Sequence, residues 1–207
     1  MAGDHFAATN AGLTFSNETE FRAWRKEKRA ELLRMRGVLT PEAHERKSGQ
    51  VMERLLSAFR HFGSATVSFY WPFRGEISAL PFMEYVLSAG GSAALPVVLG
   101  KGLALEFRLW KPGDPMASGV YDIPYPATGE CVEPDVLIAA LVGFDSACYR
   151  LGYGGGYYDR TLAAAGKKPL SIGIGFESAR LETIYPQPYD VPMDWIVTED
   201  AIVERSS

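Results

Sequence analysis

A three-layer α/β fold, with a mainly parallel sheet flanked by helices, is predicted by three features of the sequence. Short apolar segments typical of strands alternate with amphipathic segments typical of helices, and this order favours a parallel sheet. In the segment 135–142 every residue after Asp135 is apolar, as expected for a strand buried on both faces. The length of 207 residues suits one core without disulfides. We therefore expect a single domain over residues 18–207, preceded by a flexible N-terminal tail over residues 1–17.

Four helices are predicted from the spacing of apolar residues and from their start signals. Thr40 can accept a hydrogen bond from an early backbone N–H, and Pro41 suits the first helical position. In the segment before it, Phe21, Trp24 and Leu32 fall near one side of a helix. The predicted helices cover residues 18–36, 41–61 and 80–87, with a fourth from about residue 157, and Gly63 is the predicted stop of the second.

Strands are predicted where short apolar or alternating runs lie between turn residues. They cover residues 66–70, 92–98, 103–110, 135–142, 170–176 and 194–198. Residues 111–134 contain five prolines and are predicted to form a long ordered loop or hairpin over one end of the sheet. Long loops in compact domains often carry function.

Composition argues against several classes of protein. Twenty-one basic and 25 acidic residues give a net charge of −4, which argues against nucleic acid as a partner. The two cysteines, Cys131 and Cys148, lack the spacing of a zinc site or a disulfide framework, so we expect buried or idle thiols. No segment resembles a signal peptide or a membrane span. The sequence thus predicts a cytoplasmic protein with no membrane partner.

The strongest functional signal is a glycine-rich segment between the most apolar strand and a helix. Residues 143–160 read Gly-Phe-Asp-Ser-Ala-Cys-Tyr-Arg-Leu-Gly-Tyr-Gly-Gly-Gly-Tyr-Tyr-Asp-Arg. Its clustered glycines are Gly152, Gly154, Gly155 and Gly156. Residues without Cβ allow close approach to a ligand, and successive N–H groups before a helix form a cradle for phosphate oxygens.

Two known phosphate motifs do not match this segment. It lacks the Gly-Lys-Ser/Thr of a P-loop, and Tyr157 stands where a dinucleotide fingerprint needs glycine. The alternative is a mobile turn without a ligand. However, a mobile turn has no need of Arg150 before the glycines and of aromatic residues and Asp159 after them. We therefore favour a phosphate or nucleotide site.

These residues resemble the signature of the 5-formyltetrahydrofolate cyclo-ligase family, also called methenyltetrahydrofolate synthetases. The resemblance extends from about residue 25 to residue 200. It implies a fold of the NagB/RpiA/CoA-transferase type, Rossmann-like, and ATP with Mg²⁺ as co-substrate and cofactor. It also implies ATP-driven closure of 5-formyltetrahydrofolate, a reduced folate, to 5,10-methenyltetrahydrofolate with release of ADP and phosphate. We expect the chain to act as a monomer.

The resemblance also implies roles for individual residues. Arg150 and Tyr158 are expected to be catalytic, while Asp159 and Asp190 match the carboxylates that hold Mg²⁺. The residues expected to bind ATP are Arg25, Arg29, Arg150, Leu151, Gly152, Tyr153, Gly154, Gly155, Gly156, Tyr157 and Tyr158. Those expected to contact the folate are Trp71, Glu76, Tyr153 and Tyr157. Alternatives remain open, since Trp71 could be a core residue and Asp190 a turn residue.

The sequence departs from the family pattern at several flanking positions. These are Tyr125, Ala140, Ala179 and Tyr189, while Arg25 replaces a lysine. Two other functions therefore stay open: a divergent enzyme that uses ATP on another small molecule, and a non-catalytic protein that binds a nucleotide or folate. The basic first helix gives a weaker argument for an RNA-associated protein.

Overall fold

The structure, a computed structural model, describes residues 15–62 and 64–206 of the chain. Within this part of the chain the α-helices are α1 (Glu18–Gly37), α2 (Pro41–Phe59), α3 (Leu80–Ser88) and α4 (Tyr157–Ala164). The strands are β1 (Thr66–Ser68), β2 (Ser92–Val98), β3 (Leu105–Leu109), β4 (Met116–Ser118), β5 (Pro124–Pro126), β6 (Val136–Ala140), β7 (Gly143–Phe144), β8 (Arg150–Leu151), β9 (Leu170–Ile174), β10 (Trp195–Val197) and β11 (Ile202–Glu204).

Seven strands form one sheet in the order β11-β10-β9-β6-β1-β2-β3. The five inner strands are parallel to one another. Each edge strand is antiparallel: β3 pairs with β2 and β11 pairs with β10. The prediction of a mainly parallel sheet flanked by helices is confirmed.

Helices cover both faces of this sheet, and β6 shows why. Its residues 136–139 are all buried. Ile138 belongs to the core cluster that α2 and α3 cover, whereas its neighbour Leu137 belongs to the cluster that includes Leu162 of α4. Because successive side chains of a strand point to opposite faces, a strand packed on both sides must be apolar throughout.

The first helices begin where the capping residues indicate. The Thr40 hydroxyl accepts from the Ala43 N–H at 3.2 Å, as predicted for α2. At α1 the Asn17 side chain accepts from the Glu20 N–H at 3.0 Å, a cap that the sequence prediction assigned to the tail. Helix α2 continues into a short 3-10 turn, Arg60–Phe62, and the predicted stop at Gly63 lies outside the described residues.

The predicted N-terminal tail falls mostly on residues 1–14, which the structure does not describe. Its last residues pack onto the domain. Phe15 is buried, and its ring centroid lies 5.6 Å from that of Phe21 and 4.9 Å from that of Tyr185. The domain therefore includes residues 15–17 as well, because apolar contact and the Asn17 cap fix them.

The proline-rich segment 111–134 contains the hairpin β4–β5, the second of the two forms expected. The short pairing of β7 with β8 and the edge strand β11 were not predicted, because two or three residues show no usable period. Of the two cysteines, Cys148 is buried and Cys131 is exposed. Across the described ranges no helix has the length and apolar character to cross a membrane.

Candidate functional site

The candidate site lies at the topological switch point of the sheet, between β1 and β6, where the strand order reverses. From β1 the chain continues to β2 on one side, while β6, the other neighbour of β1, leads on to β9 on the opposite side. Open parallel sheets bind ligands beyond the carboxyl ends of the strands at such a reversal. The loop after β1 carries Trp71 and Glu76, and the segment after β6 carries the glycine loop, residues 152–156.

The hairpin β7–β8 presents the glycine loop at this edge. Phe144 pairs with Arg150, and Gly143 pairs with Leu151. The Leu151 side chain packs in a cluster with Leu32 of α1 and Ile184. Leu151 thus anchors one end of the loop by its packing, and α4 begins at the other end.

The backbone of the loop depends on its glycines. Gly154 has φ of 97° and Gly156, which precedes α4, has φ of 64°. A Cβ on Gly155 would lie 2.7 Å from the Tyr157 ring. A residue with a Cβ would be strained at the positive φ angles and would clash at Gly155. The loop geometry therefore accounts for the glycine cluster.

Two arginines of α1 face the loop region, one helical turn apart. Arg29 donates from Nε to the Gly152 carbonyl at 2.7 Å. Arg25 forms a two-pronged ion pair with Asp190, with Nη1 3.1 Å from Oδ1 and Nη2 2.5 Å from Oδ2. Burial, and then the charge of Arg25, lower the pKa of Arg29. The site therefore gathers positive charge opposite the glycines.

Arg150, just before the glycines, is deeply buried, with only 4% of its side chain exposed. Its Nη2 lies 2.9 Å from Asp159 Oδ2, and its guanidinium carbon lies 5.1 Å from the centroid of the Tyr158 ring. The ion pair is close but not aligned as a hydrogen bond. Among the described residues, Nε and Nη2 have no hydrogen-bond acceptor. Burial raises the pKa of Tyr158, so its hydroxyl stays neutral.

The two aspartates differ in their fitness to hold Mg²⁺. Asp159 Oδ1 accepts only a 3.3 Å hydrogen bond from the Val191 N–H, beyond the ion pair of Oδ2. Both oxygens of Asp190 are engaged by Arg25, and Oδ2 also accepts from the Gln187 N–H at 2.7 Å. No group of three metal-binding side chains occurs within the described ranges. Mg²⁺ needs few carboxylates when phosphate oxygens and waters complete its shell, so Asp159 fits this role and Asp190 does not while paired.

On the β1 side, Glu76 contacts the glycine loop directly. Its Oε2 accepts from the Phe73 N–H at 2.9 Å, and its Oε1 accepts from the Tyr153 hydroxyl at 2.9 Å. Burial raises the pKa of Glu76, although both hydrogen bonds oppose the rise. Burial, and then the charge of Glu76, raise the pKa of Tyr153 to about 12. A buried carboxylate beside aromatic rings can accept N–H groups of a flat polar heterocycle.

The remaining predicted contacts lie around this centre. Trp71 is half-buried, packs against the core and meets Trp110 edge-on at 6.0 Å between ring centroids. It thus serves the core, one of its two predicted roles, and leaves part of its ring accessible. Tyr157 is half-buried, with the Arg160 guanidinium 5.3 Å from its ring centroid. Trp71 lies in the loop after β1 and Tyr157 directly after the glycine loop. Among the described residues, neither side chain forms a hydrogen bond with Glu76.

Two site residues were missed by sequence reasoning. Asp145 is buried and accepts three backbone hydrogen bonds, from Ala147 and Tyr149 at 3.1 Å each and from Ile184 at 3.0 Å. It thereby ties the glycine-loop segment to the segment that carries Asp190. Arg36 is the second, because it donates to the Tyr153 hydroxyl at 2.6 Å. The signal for Asp145 was its place in the signature, whereas Arg36 is hidden among the basic residues of α1.

Fold and site together define an α/β protein with a glycine loop flanked by arginines and a buried carboxylate at the switch point of a mainly parallel sheet. Residues 21–199 match the model of the 5-formyltetrahydrofolate cyclo-ligase family. The 5-formyltetrahydrofolate cyclo-ligase of Escherichia coli strain K12 is 30% identical over 176 residues, which cover 82% of this chain and 97% of that protein. The Haemophilus influenzae enzyme of the same name is 28% identical, with 82% and 94% covered.

Solved structures agree. The Aquifex aeolicus 5,10-methenyltetrahydrofolate synthetase has a TM-score of 0.76 and 30% identity, covering 88% of this chain and 93% of that one. The Mycoplasma pneumoniae synthetase, at 22% identity and a TM-score of 0.70 over 84% and 98% of the chains, shares the fold. This chain belongs to the 5-formyltetrahydrofolate cyclo-ligase family, as the resemblance of its glycine segment indicates.

Proposed function

We propose that this protein converts 5-formyltetrahydrofolate to 5,10-methenyltetrahydrofolate, using ATP and releasing ADP and phosphate. Family membership supports the reaction. The observation that carries the proposal in the structure is Arg150, buried beside the glycine loop: Asp159 lies 2.9 Å from its Nη2, yet neither Nε nor Nη2 has an aligned hydrogen-bond acceptor in the described residues. Buried arginine N–H groups without an aligned acceptor are costly, and a phosphate would provide the oxygens.

The chemistry requires an oxygen to become a leaving group. The formyl oxygen attacks the γ-phosphorus of ATP, the bond to the bridging oxygen breaks, and ADP leaves with that electron pair. N10 of the folate then attacks the activated carbon and loses its proton, and phosphate departs with the former formyl oxygen. Both steps need alignment and neutralised charge more than a protein nucleophile.

The residues of the loop wall supply that neutralisation. Arg150 and Arg29 place positive charge beside backbone N–H groups of residues 152–156, and Arg25 adds a third charge held by Asp190. Tyr158 packs against Arg150 with a neutral hydroxyl. We assign ATP binding to this wall, with Leu151 contributing through the packing of the loop rather than by a side-chain contact.

Mg²⁺, when bound, would offset the negative charge of the phosphate groups. We propose Asp159 as its main protein ligand, because one of its oxygens is only weakly engaged. Asp190 would join the ion only if Arg25 released it, since that ion pair now uses both of its oxygens.

The folate is proposed to bind on the β1 side. Glu76 would accept N–H groups of the pterin, and Tyr153, Tyr157 and Trp71 would line the rings. Two of the departures from the family pattern do not weaken this assignment: Ala140 and Ala179 pack against the core clusters, so they alter packing.

A turnover assay tests the proposal. Purified protein with Mg²⁺, ATP and 5-formyltetrahydrofolate should produce the absorbance of methenyltetrahydrofolate, and omission of ATP should abolish the signal. Nucleotide binding without this product would favour the divergent enzyme that acts on another small molecule. Saturable binding of nucleotide or folate without any ADP release would favour a non-catalytic binding protein.

A further inference from the structure

A chain of hydrogen bonds connects the glycine loop to the carboxylate on the β1 side. Arg36, near the end of α1, donates from Nη2 to the Tyr153 hydroxyl at 2.6 Å. That hydroxyl donates to Glu76 Oε1 at 2.9 Å. Tyr153 belongs to the proposed nucleotide wall and Glu76 to the proposed folate wall. The two walls are therefore in direct contact through one hydroxyl group.

Arg36 is itself fixed by the loops it joins. Its Nε donates to the Arg74 carbonyl at 3.0 Å, in the loop after β1, and its Nη1 donates to the Leu141 carbonyl at 3.2 Å, directly after β6. Three nitrogens of one guanidinium thus serve three separate acceptors, which a lysine ammonium on a flexible stem cannot reproduce. Arg36 is a positioning residue that gives the Tyr153 hydroxyl a fixed point.

The position of the Glu76 carboxylate depends on this arrangement. Oε2 is held by the Phe73 N–H, and Oε1 is held by Tyr153. Tyr153 is 41% exposed, and the carbonyls of the loop residues Gly152 and Gly155 accept from Arg29 and Arg160. A phosphate that binds these arginines would shift the loop and, with it, the Tyr153 hydroxyl that holds Glu76. A second ligand that needs Glu76 in the shifted position would then bind more tightly.

We propose that Arg36 and Tyr153 couple the two substrate sites, so that bound nucleotide raises the affinity for the reduced folate and bound folate raises the affinity for nucleotide. This inference rests on the proposed function. The two factors must be equal, because coupling free energies are reciprocal. One neutral or charge-assisted hydrogen bond corresponds to a factor of about 5 to 10.

Isothermal titration calorimetry measures this factor. The full-length protein is titrated with a non-hydrolysable ATP analogue and Mg²⁺, with and without saturating 5-formyltetrahydrofolate, and then in the reverse order. In the wild type each ligand should tighten the other by about 5- to 10-fold. In Tyr153→Phe both ligands should still bind, but each affinity should become independent of the other. Arg36→Lys should behave in the same way, because lysine keeps the charge but not the fork.

Tyr85→Phe is the matched control. It also removes one tyrosine hydroxyl, which donates to the Arg60 carbonyl at 2.9 Å, and it lies in α3 away from the site. Its coupling factor should equal that of the wild type. Independent affinities in the wild type, or an unchanged factor in both Tyr153→Phe and Arg36→Lys, would overturn the coupling. Failure of the wild type to bind one of the ligands would instead overturn the proposed function.

Discussion

Two recesses of the molecule differ in size and in chemistry. The first, at the carboxyl ends of β1 and β6, encloses only 10 Å³ and includes Arg36 and Glu76 among its lining residues. The second, which we call the α4 groove, encloses 190 Å³ between α4, β3 and residues 132–134. Its lining includes Leu105, Phe107 and Leu137, with charged side chains such as Lys167 also present. The larger recess is lined mostly by apolar side chains, whereas the smaller one has the carboxylate of Glu76 and the guanidinium of Arg36 in its lining.

The comparison shows that convergence of polar groups marks the functional site better than volume does. Around the smaller recess, Arg36 donates to the Arg74 carbonyl and to the Tyr153 hydroxyl, and that hydroxyl donates to the buried Glu76 carboxylate. Groups buried in this way cost stability unless their partners or a ligand satisfy them, and such costs are typical of functional sites. In the α4 groove the Thr161 hydroxyl is already satisfied by the Leu105 N–H and the Tyr157 carbonyl.

The largest effect that should separate the two regions is that of Asp159→Asn. The change removes the proposed Mg²⁺ ligand, and this loss should outweigh the release of Arg150 from its countercharge, so the affinity for Mg²⁺ and ATP should fall by about 100-fold. Calorimetry with a non-hydrolysable analogue measures it, and circular dichroism checks that the fold is retained. If Asp159→Asn and Arg150→Ala both kept the wild-type affinity, the nucleotide would bind elsewhere.

Glu76→Gln should raise KM for the folate by about 10- to 100-fold, because an amide cannot accept from two N–H donors as a carboxylate does. Steady-state kinetics at saturating ATP measure this change. An unchanged KM would remove Glu76 from the folate site.

The same variant tests the pH dependence of stability. Since burial raises the pKa of Glu76, the folded protein holds this proton more tightly than the unfolded chain does. Its free energy of unfolding must therefore lose a contribution as the pH rises from the ordinary glutamate pKa through the raised one. Glu76→Gln should lack this loss, so the variant should gain stability relative to the wild type between acid and neutral pH. Urea unfolding across that range provides the measurement, and parallel curves for the two proteins would contradict it.

A smaller effect is expected from the backbone of the glycine loop. Gly154→Ala forces an alanine to φ of 97°, which costs about 1–2 kcal/mol, so nucleotide affinity should fall by about 10-fold as the loop shifts. Gly49→Ala is the control, because Gly49 is an exposed position inside α2 where a Cβ meets nothing within 4 Å. That variant should gain about 0.5–1 kcal/mol of stability with unchanged binding. Equal binding by the two variants would argue against a strained loop in the site.

The smallest effect should come from the α4 groove. Ala164 is exposed at the end of α4 and lines the groove. Ala164→Leu should change kcat/KM by no more than about twofold, as is usual for surface substitutions away from a site. A much larger loss of turnover would show that the volume of this groove matters to the reaction.

The sequence predicted what depends on local pattern. The apolar run in the segment 135–142 gave the central strand β6, and the Thr40-Pro41 pair gave the start of α2. The glycine cluster likewise identified the loop, because positive φ at Gly154 and Gly156 is a local requirement. In each of these regions the physical cause lies within a few neighbouring residues.

The parts that could not be predicted depend on contacts between distant residues. The Arg25–Asp190 ion pair joins positions 165 residues apart, and the Arg36–Tyr153 hydrogen bond joins positions 117 apart. Nothing in the spacing of α1 shows which of its basic residues turn toward the site. Asp190 matches a metal ligand by motif. Its oxygens are occupied because the fold brings α1 against the segment before β10, and this contact is not visible in the sequence.

The most direct test of the proposed function is the ratio of ADP released to 5,10-methenyltetrahydrofolate formed by the wild-type protein. Both products can be quantified in one reaction with limiting ATP. We expect equal amounts of ADP and methenyltetrahydrofolate, no methenyltetrahydrofolate without ATP, and a parallel loss of both products in Asp159→Asn. Release of ADP without the folate product, or folate product without ADP, would contradict the central claim that the carboxyl-edge site couples ATP to folate cyclisation.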